Sequence, residues 1–255
     1  MLMVLSNLRL REYIRDRMKL SLFLKKIVKR ASRLCDEEFI SKDKDDKGDL
    51  VTTADLGVEK YIIKEFKKKF PNFDIISEEF NPNKNLTENC LIIDPIDGTI
   101  NFAHGLPLWG IQVALRMKGE MVASVLYFPR LREMYHADES GAFLNGKRIH
   151  VSNTPRDKAL YLVEGGEKFA ALTDLNVSNS RHWRYFCACC INHAWVAAGR
   201  LGGAILRKDN PWDYLPGQYL VQQAGGVVMN DDGAHVVANS KEMAEILFTK
   251  GRVVE

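Results

Sequence analysis

Leu20, Leu24, Ile27, Ala31 and Leu34 recur every three or four residues, while Lys25, Lys26, Lys29, Arg30 and Arg33 fall between them. Apolar groups at that interval line one side of a helix, so the stretch is predicted to be amphipathic, with a basic outer face. A second helical period runs through Val58, Ile62 and Phe66. Thr52 and Asp55 have helix-entry spacing, and Pro71 disfavours helical geometry at Phe70, so the helix should end there. Ile75-Ile76 reads as a short strand running into Ser77-Glu78-Glu79, and Leu91-Ile92-Ile93 as a buried strand ending at Asp94. Further strands are predicted over Gly110 to Met117, Met121 to Phe128, Glu133 to Ala137 and Lys147 to Val151, with Asn145-Gly146 a hairpin signal. This half is expected to be an antiparallel meander with helices packed on it. From about 155 the pattern alternates between helix and strand. Helices are predicted over Ala188 to Arg200 and from near 214 to Ala224, then Gly225-Gly226 as a stop and Val227-Val228-Met229 as a strand. A boundary near 152 divides the chain into 1–152 and 153–255, two closely packed parts or one broad domain.

Composition narrows the class without naming the chemistry. At 255 residues and 29.0 kDa the chain can bury a large core. A net charge of +3 is too small to imply nucleic acid, and no run approaches the roughly twenty apolar residues of a membrane span. The first residues lack an apolar run with a cleavage site, and Met18 is a second candidate start. Five cysteines, three of them crowded at Cys187, Cys189 and Cys190, do not make a disulfide framework. The cytoplasm is the expected location, and the three cysteines read as small buried side chains.

The chemistry gathers at 91–102, LIIDPIDGTINF. Pro95 cannot donate to a strand ladder and Gly98 tolerates almost any backbone angle, so the chain should leave the sheet between them and turn sharply. Such a turn crowds Asp94 and Asp97, which cannot share a small space as bare anions unless a proton or cation lies between them. Carboxylates and carbonyls suit hard cations such as Mg²⁺, and the Ile96 carbonyl is a natural third ligand. Taken singly, an Asp-Gly turn has a plainer reading, with Asp97 as a helix cap; so do Asp55 and Asp213, and Glu78-Glu79 as a solvated corner.

In order, the chain reads DLVTTAD, SEE, DPIDGTINF and PWD followed by AGG. Together these resemble the inositol monophosphatase family of metal-dependent phosphatases, from about Lys44 to Met229. The resemblance implies that Glu78, Asp94, the Ile96 carbonyl, Asp97 and Asp213 hold two or three Mg²⁺ ions, with Asp55 supporting them partly through water. It implies that Thr99 and Glu78 orient and help deprotonate the attacking water, with Asp49 a partner of Thr99. Substrate would meet Asp97, Gly98, Thr99 and Asp213, with Ala188 and Leu206 at the positions on the substrate side. A layered αβαβα fold, a homodimer and Li⁺ sensitivity also belong to the resemblance.

Some positions depart from the family pattern. Leu206 stands where inositol-binding members carry an acid, Gly202 or Gly203 where an Asp is frequent, and Arg184 to Cys190 is bulkier than usual. Pro216 and Gly217 replace typical helix formers, although Pro in a first turn is tolerated. The expected activity is Mg²⁺-dependent hydrolysis of a small phosphorylated metabolite, nominally inositol monophosphate. Fructose 1,6-bisphosphate, the 2′-phosphate of NADP, and a non-catalytic binding protein on the same scaffold are the alternatives.

Overall fold

The computed structural model describes residues 19–44, 50–155, 158–164, 183–207, 210–231 and 233–251. Helix α1 (residues 19–31) buries Leu24, Ile27, Val28 and Ala31, and leaves Lys26, Lys29 and Arg30 in solvent. Helix α2 (Thr53–Lys67) opens on a capping box in which Thr52 and Asp55 satisfy one another's main-chain N–H groups. Both helices pack on one face of a seven-stranded sheet, where Val28, Val58, Ile62 and Phe66 meet Ile93, Val113 and Val125.

That sheet is ordered β3-β4-β5-β6-β7-β8-β9, with β3 at Asp74–Ser77, β4 at Cys90–Asp97, β5 at Gly110–Met117, β6 at Glu120–Phe128, β7 at Glu133–Asp138, β8 at Gly141–Leu144 and β9 at Lys147–Ile149. The meander from β4 to β9 is antiparallel, as expected. Two features depart from expectation: β3 pairs parallel to β4, and β8 is an additional strand whose two partly exposed residues blur the period-two signal. A small hairpin pairs β1 (Ser41–Asp43) with β2 (Leu50–Thr52).

The second sheet, β11-β10-β12-β14-β13, comprises Trp183–Arg184, Tyr161–Glu164, Gly203–Arg207, Ala234–Ala238 and Val227–Asn230. Between the sheets lie two helices, α4 (Cys189–Ala197) and α5 (Pro211–Gln223). Leu126 and Tyr135 of the large sheet join Ile191, Leu220 and Leu206 in one apolar cluster, so this core spans position 152. Helix α6 (Lys241–Gly251) covers the outer face with Met243, Ala244 and Leu247. The layers run αβαβα.

Helix α5 differs from expectation in two ways. It begins at Pro211, so Pro216 lies inside it, not in its first turn. Gly217 has a packing reason: a Cβ there would stand 2.4 Å from the His193 ring on α4. At the other end, Gly225 takes φ +86, and its N–H and that of Gly226 bond back to Gln222 and Val221, the expected stop.

Candidate active site

The central turn is built by a one-residue bulge. Opposite β5, Asp94 pairs with Gln112 but Asp97 pairs with Gly110, so three steps on β4 answer two on its neighbour. In a regular strand, side chains three apart face opposite ways. The extra residue reverses that parity. Leu91, Ile93 and Ile96 all enter the core beneath α1 and α2, whereas Cys90 and Ile92 pack with Trp212 of α5 on the other face. Asp94 follows the second set, and Asp97 rejoins it. The strand therefore continues through Pro95, and the sharp turn falls one step later than expected, at Gly98 with φ +87. A Cβ there would lie 3.0 Å from the Leu108 carbonyl and 3.1 Å from Ala188. Helix α3 (Thr99–Ala103) begins immediately after it.

Each expected ligand is tethered by a neighbour. Asp94 is 1% exposed; its Oδ2 accepts from Gln112 Nε2 at 3.3 Å, and its Oδ1 has no hydrogen-bond partner. Burial, then the charges of Glu78, Asp97 and Asp213, push its pKa well above the usual carboxylate range. Asp97 accepts from the first amides of α4, Oδ1 from Cys189 at 3.2 Å and Oδ2 from Cys190. Burial nevertheless raises its pKa against those bonds. Asp213 is the third residue of α5, and its Oδ2 caps Asn210 N at 2.8 Å. Glu78 follows β3 directly, where burial lifts its pKa to about 7 against the opposing pull of Lys44. Lys44 reaches both Glu78 and Glu79 at 2.7 Å.

Thr99, expected to orient the attacking water, lies beside Ile96 and Asp55. Thr99 Oγ1 donates to the Ile96 carbonyl at 2.8 Å and stands 3.5 Å from Asp55 Oδ1. Asp55 is fully buried, with burial raising its pKa to about 6 against the bonds from Thr52. Asp49, expected beside Thr99, lies outside the described residues. Two further expectations are corrected. Leu206 is fully buried in the core between the sheets, and Ala188 is 1% exposed beneath Gly98, so neither side chain offers surface to a ligand. Cys187 is exposed where a buried side chain was expected.

Three residues that matter here were missed in the sequence. Lys44 gave no signal beyond its charged loop. Gln112 is a polar residue inside a buried strand, and its amide also stands 3.3 Å from the Asp213 carbonyl. Glu59 is fully buried on α2, accepting from Ser77 Oγ, from Glu79 N at 2.9 Å and from Phe80 N at 3.0 Å. Its position four residues after Asp55, on the stripe that also carries Ile62 and Phe66, could have exposed it.

These residues fit a hard divalent cation by donor type: the charges of Glu78, Asp97 and Asp213 act on Asp94, the Ile96 carbonyl lies between two of these acids in the chain, and among the described residues buried Asp94 Oδ1 has no donor. Among the described residues, no three His, Cys, Asp or Glu side chains are already gathered to grip one ion. As they stand, Glu78 is engaged by Lys44 and Asp97 by the amides of Cys189 and Cys190, contacts that a bound metal would have to share.

A family model described as the inositol monophosphatase family matches residues 16–251. The chain belongs to that family. A Thermotoga maritima relative of this inositol monophosphatase-family chain, named fructose-1,6-bisphosphatase/inositol-1-monophosphatase, is 36% identical over 208 residues, or 80% of this chain and 79% of its own. A solved Thermotoga maritima IMPase superposes with a TM-score of 0.82 at 28% identity, covering 94% of this chain and 100% of that one. An IMPase/NADP phosphatase crystallised with Mg²⁺ and phosphate shares the fold at a TM-score of 0.77 and 23% identity, over 91% and 94% of the two chains. As a family member the chain is a phosphatase, a phosphoric monoester hydrolase, with the layered fold its motifs led us to expect.

Proposed function

We propose that this phosphatase hydrolyses a phosphate monoester of a small metabolite, nominally inositol monophosphate, with Mg²⁺ held by Glu78, Asp94, the Ile96 carbonyl, Asp97 and Asp213. The observation that carries this reading is the β4 bulge, which turns Asp94 and Asp97 to the face where Asp213 arrives on α5. Bound there, magnesium would supply an activated water and relieve charge on the transferring phosphoryl group. Gln112 fixes Asp94 relative to the α5 backbone. Asp55 and Glu78, with pKa values raised to about 6 and about 7, are the groups able to take a proton from water near neutrality. Thr99 would orient that water, a role supported by its hydroxyl lying between Ile96 and Asp55. Main-chain N–H groups at Gly98 and Thr99 would receive the phosphate oxygens.

The name of the Thermotoga maritima relative keeps fructose 1,6-bisphosphate as a second substrate. Phosphate release from inositol 1-phosphate, fructose 1,6-bisphosphate and NADP, with Mg²⁺ and with EDTA, tests the reading. Release from one ester that requires Mg²⁺ supports it, and metal-independent release at the same rate refutes it. The family resemblance further supports a homodimer, which sedimentation of the purified protein would test.

A further inference from the structure

A cleft of about 690 Å³ lies between α1 and the end of the β6–β7 hairpin, and it shares no residue with the phosphatase site. Three lysines of α1, Lys25, Lys26 and Lys29, line it together with Arg132 from the hairpin turn. Tyr127 and Met134 form part of its apolar lining, and among the described residues no Asp or Glu lines it. Four cations around one concavity repel each other unless an anion joins them.

The neighbouring acids are already engaged. Asp36 pairs with Arg130 at 3.2 Å, Glu133 with Arg200 at 2.7 Å, and Asp138, the acid whose charge acts on Lys25, accepts from Ser21 at 2.7 Å. Among the described residues, none of the four cleft cations makes an ion pair. The turn that presents Arg132 is also held in a costly shape. Arg132 has φ +56, and Asn145 pins it by donating to the Arg132 carbonyl at 3.1 Å while accepting from Met134 N at 2.9 Å.

We propose that this cleft binds a small polyanion, a compound with two or more phosphate groups and an apolar or aromatic body, at a site separate from the phosphatase centre. Its size is that of a small-molecule pocket, and its shape is concave, which favours a discrete ligand over a flat lipid surface. Lys25, Lys29 and Arg132 would meet the phosphates, and Tyr127 and Met134 the body.

Calorimetric titration with inorganic tripolyphosphate, in EDTA so that no metal bridges the probe to the carboxylates, tests the site. The wild-type protein should bind about one equivalent, more weakly as salt is raised, and the double variant Lys29→Glu/Arg132→Glu should bind at least about tenfold more weakly. The variant should keep the wild-type thermal midpoint and Mg²⁺-supported phosphate release, which shows it folded. Equal binding by the folded variant, or no binding by the wild type at low salt, would overturn the proposal. So would cosedimentation with phosphatidylserine vesicles that the substitutions abolish while tripolyphosphate fails to bind, an outcome that gives this face to a membrane.

Discussion

Gln112 Nε2 donates to Asp94 Oδ2 at 3.3 Å, and the same nitrogen stands 3.3 Å from the Asp213 carbonyl. One buried amide therefore ties the acid on β4 to the helix that carries the acid at the start of α5. Gln112→Leu keeps the side-chain volume but removes the tie. We expect kcat/KM and Mg²⁺ affinity to fall by about tenfold or more, while urea unfolding shifts by less than about 1 kcal/mol, because the Gln112 oxygen is itself unpaired and its loss costs little. Unchanged Mg²⁺ affinity would assign Gln112 to packing alone.

Asp94→Asn should abolish turnover in a folded protein. Asp94 is fully surrounded, and burial and three neighbouring acids oppose its charge, so neutralising it leaves the metal-free fold equally stable or more so. Phosphate release and thermal unfolding in EDTA check the two halves. Substantial turnover in this variant would remove Asp94 from the metal site.

Metal-induced stabilisation should grow with pH. Glu78 is raised from 4.5 to about 7 and Asp55 from 3.8 to about 6. The unfolded chain loses these protons near pH 4, whereas the folded, metal-free protein keeps them longer. Their contribution to stability is complete below the unfolded values and is lost as pH rises through the folded ones. Mg²⁺ competes for the same oxygens, so its increment in Tm should be small near pH 5 and largest near pH 8. Buried His193, lowered to about 4 by burial, acts in the opposite direction, but it acts on the metal-free and loaded proteins alike and drops out of the difference. Equal increments at both pH values would contradict the assignment.

Glu59→Gln should harm both fold and metal binding. The Glu59 carboxylate accepts three bonds at the end of β3, and an amide there turns one acceptor into a donor facing a donor. We expect a loss of roughly 2 kcal/mol in urea unfolding, together with weaker Mg²⁺ binding through misplacement of Glu78. Stability lost with Mg²⁺ affinity intact would confine Glu59 to a structural role.

Much of this centre could be read from the residues themselves. The strands around Leu91 and Val113, the entry at Thr52 and Asp55, and the Gly225 stop all announce themselves locally, because periodicity, caps and glycines act over a few positions. What could not be read depends on distant partners. Lys44 meets Glu78 across 34 residues, and Gln112 meets the Asp213 carbonyl across 101. Leu206 looked like a substrate position by its place in the motif, but the pairing of β12 between β10 and β14 buries it. The bulge was hidden for another reason. Pro95 marks an irregularity, but only the neighbouring strand reveals that the count is off by one.

The interval between Asp94 and Asp97 is therefore a dimension of the machine as much as their identity is. Lengthening β4 by one regularly paired residue between them, with every acid kept, would turn Asp97 to the opposite face, toward the apolar core beneath α1 and α2. Length there is under the same constraint as charge.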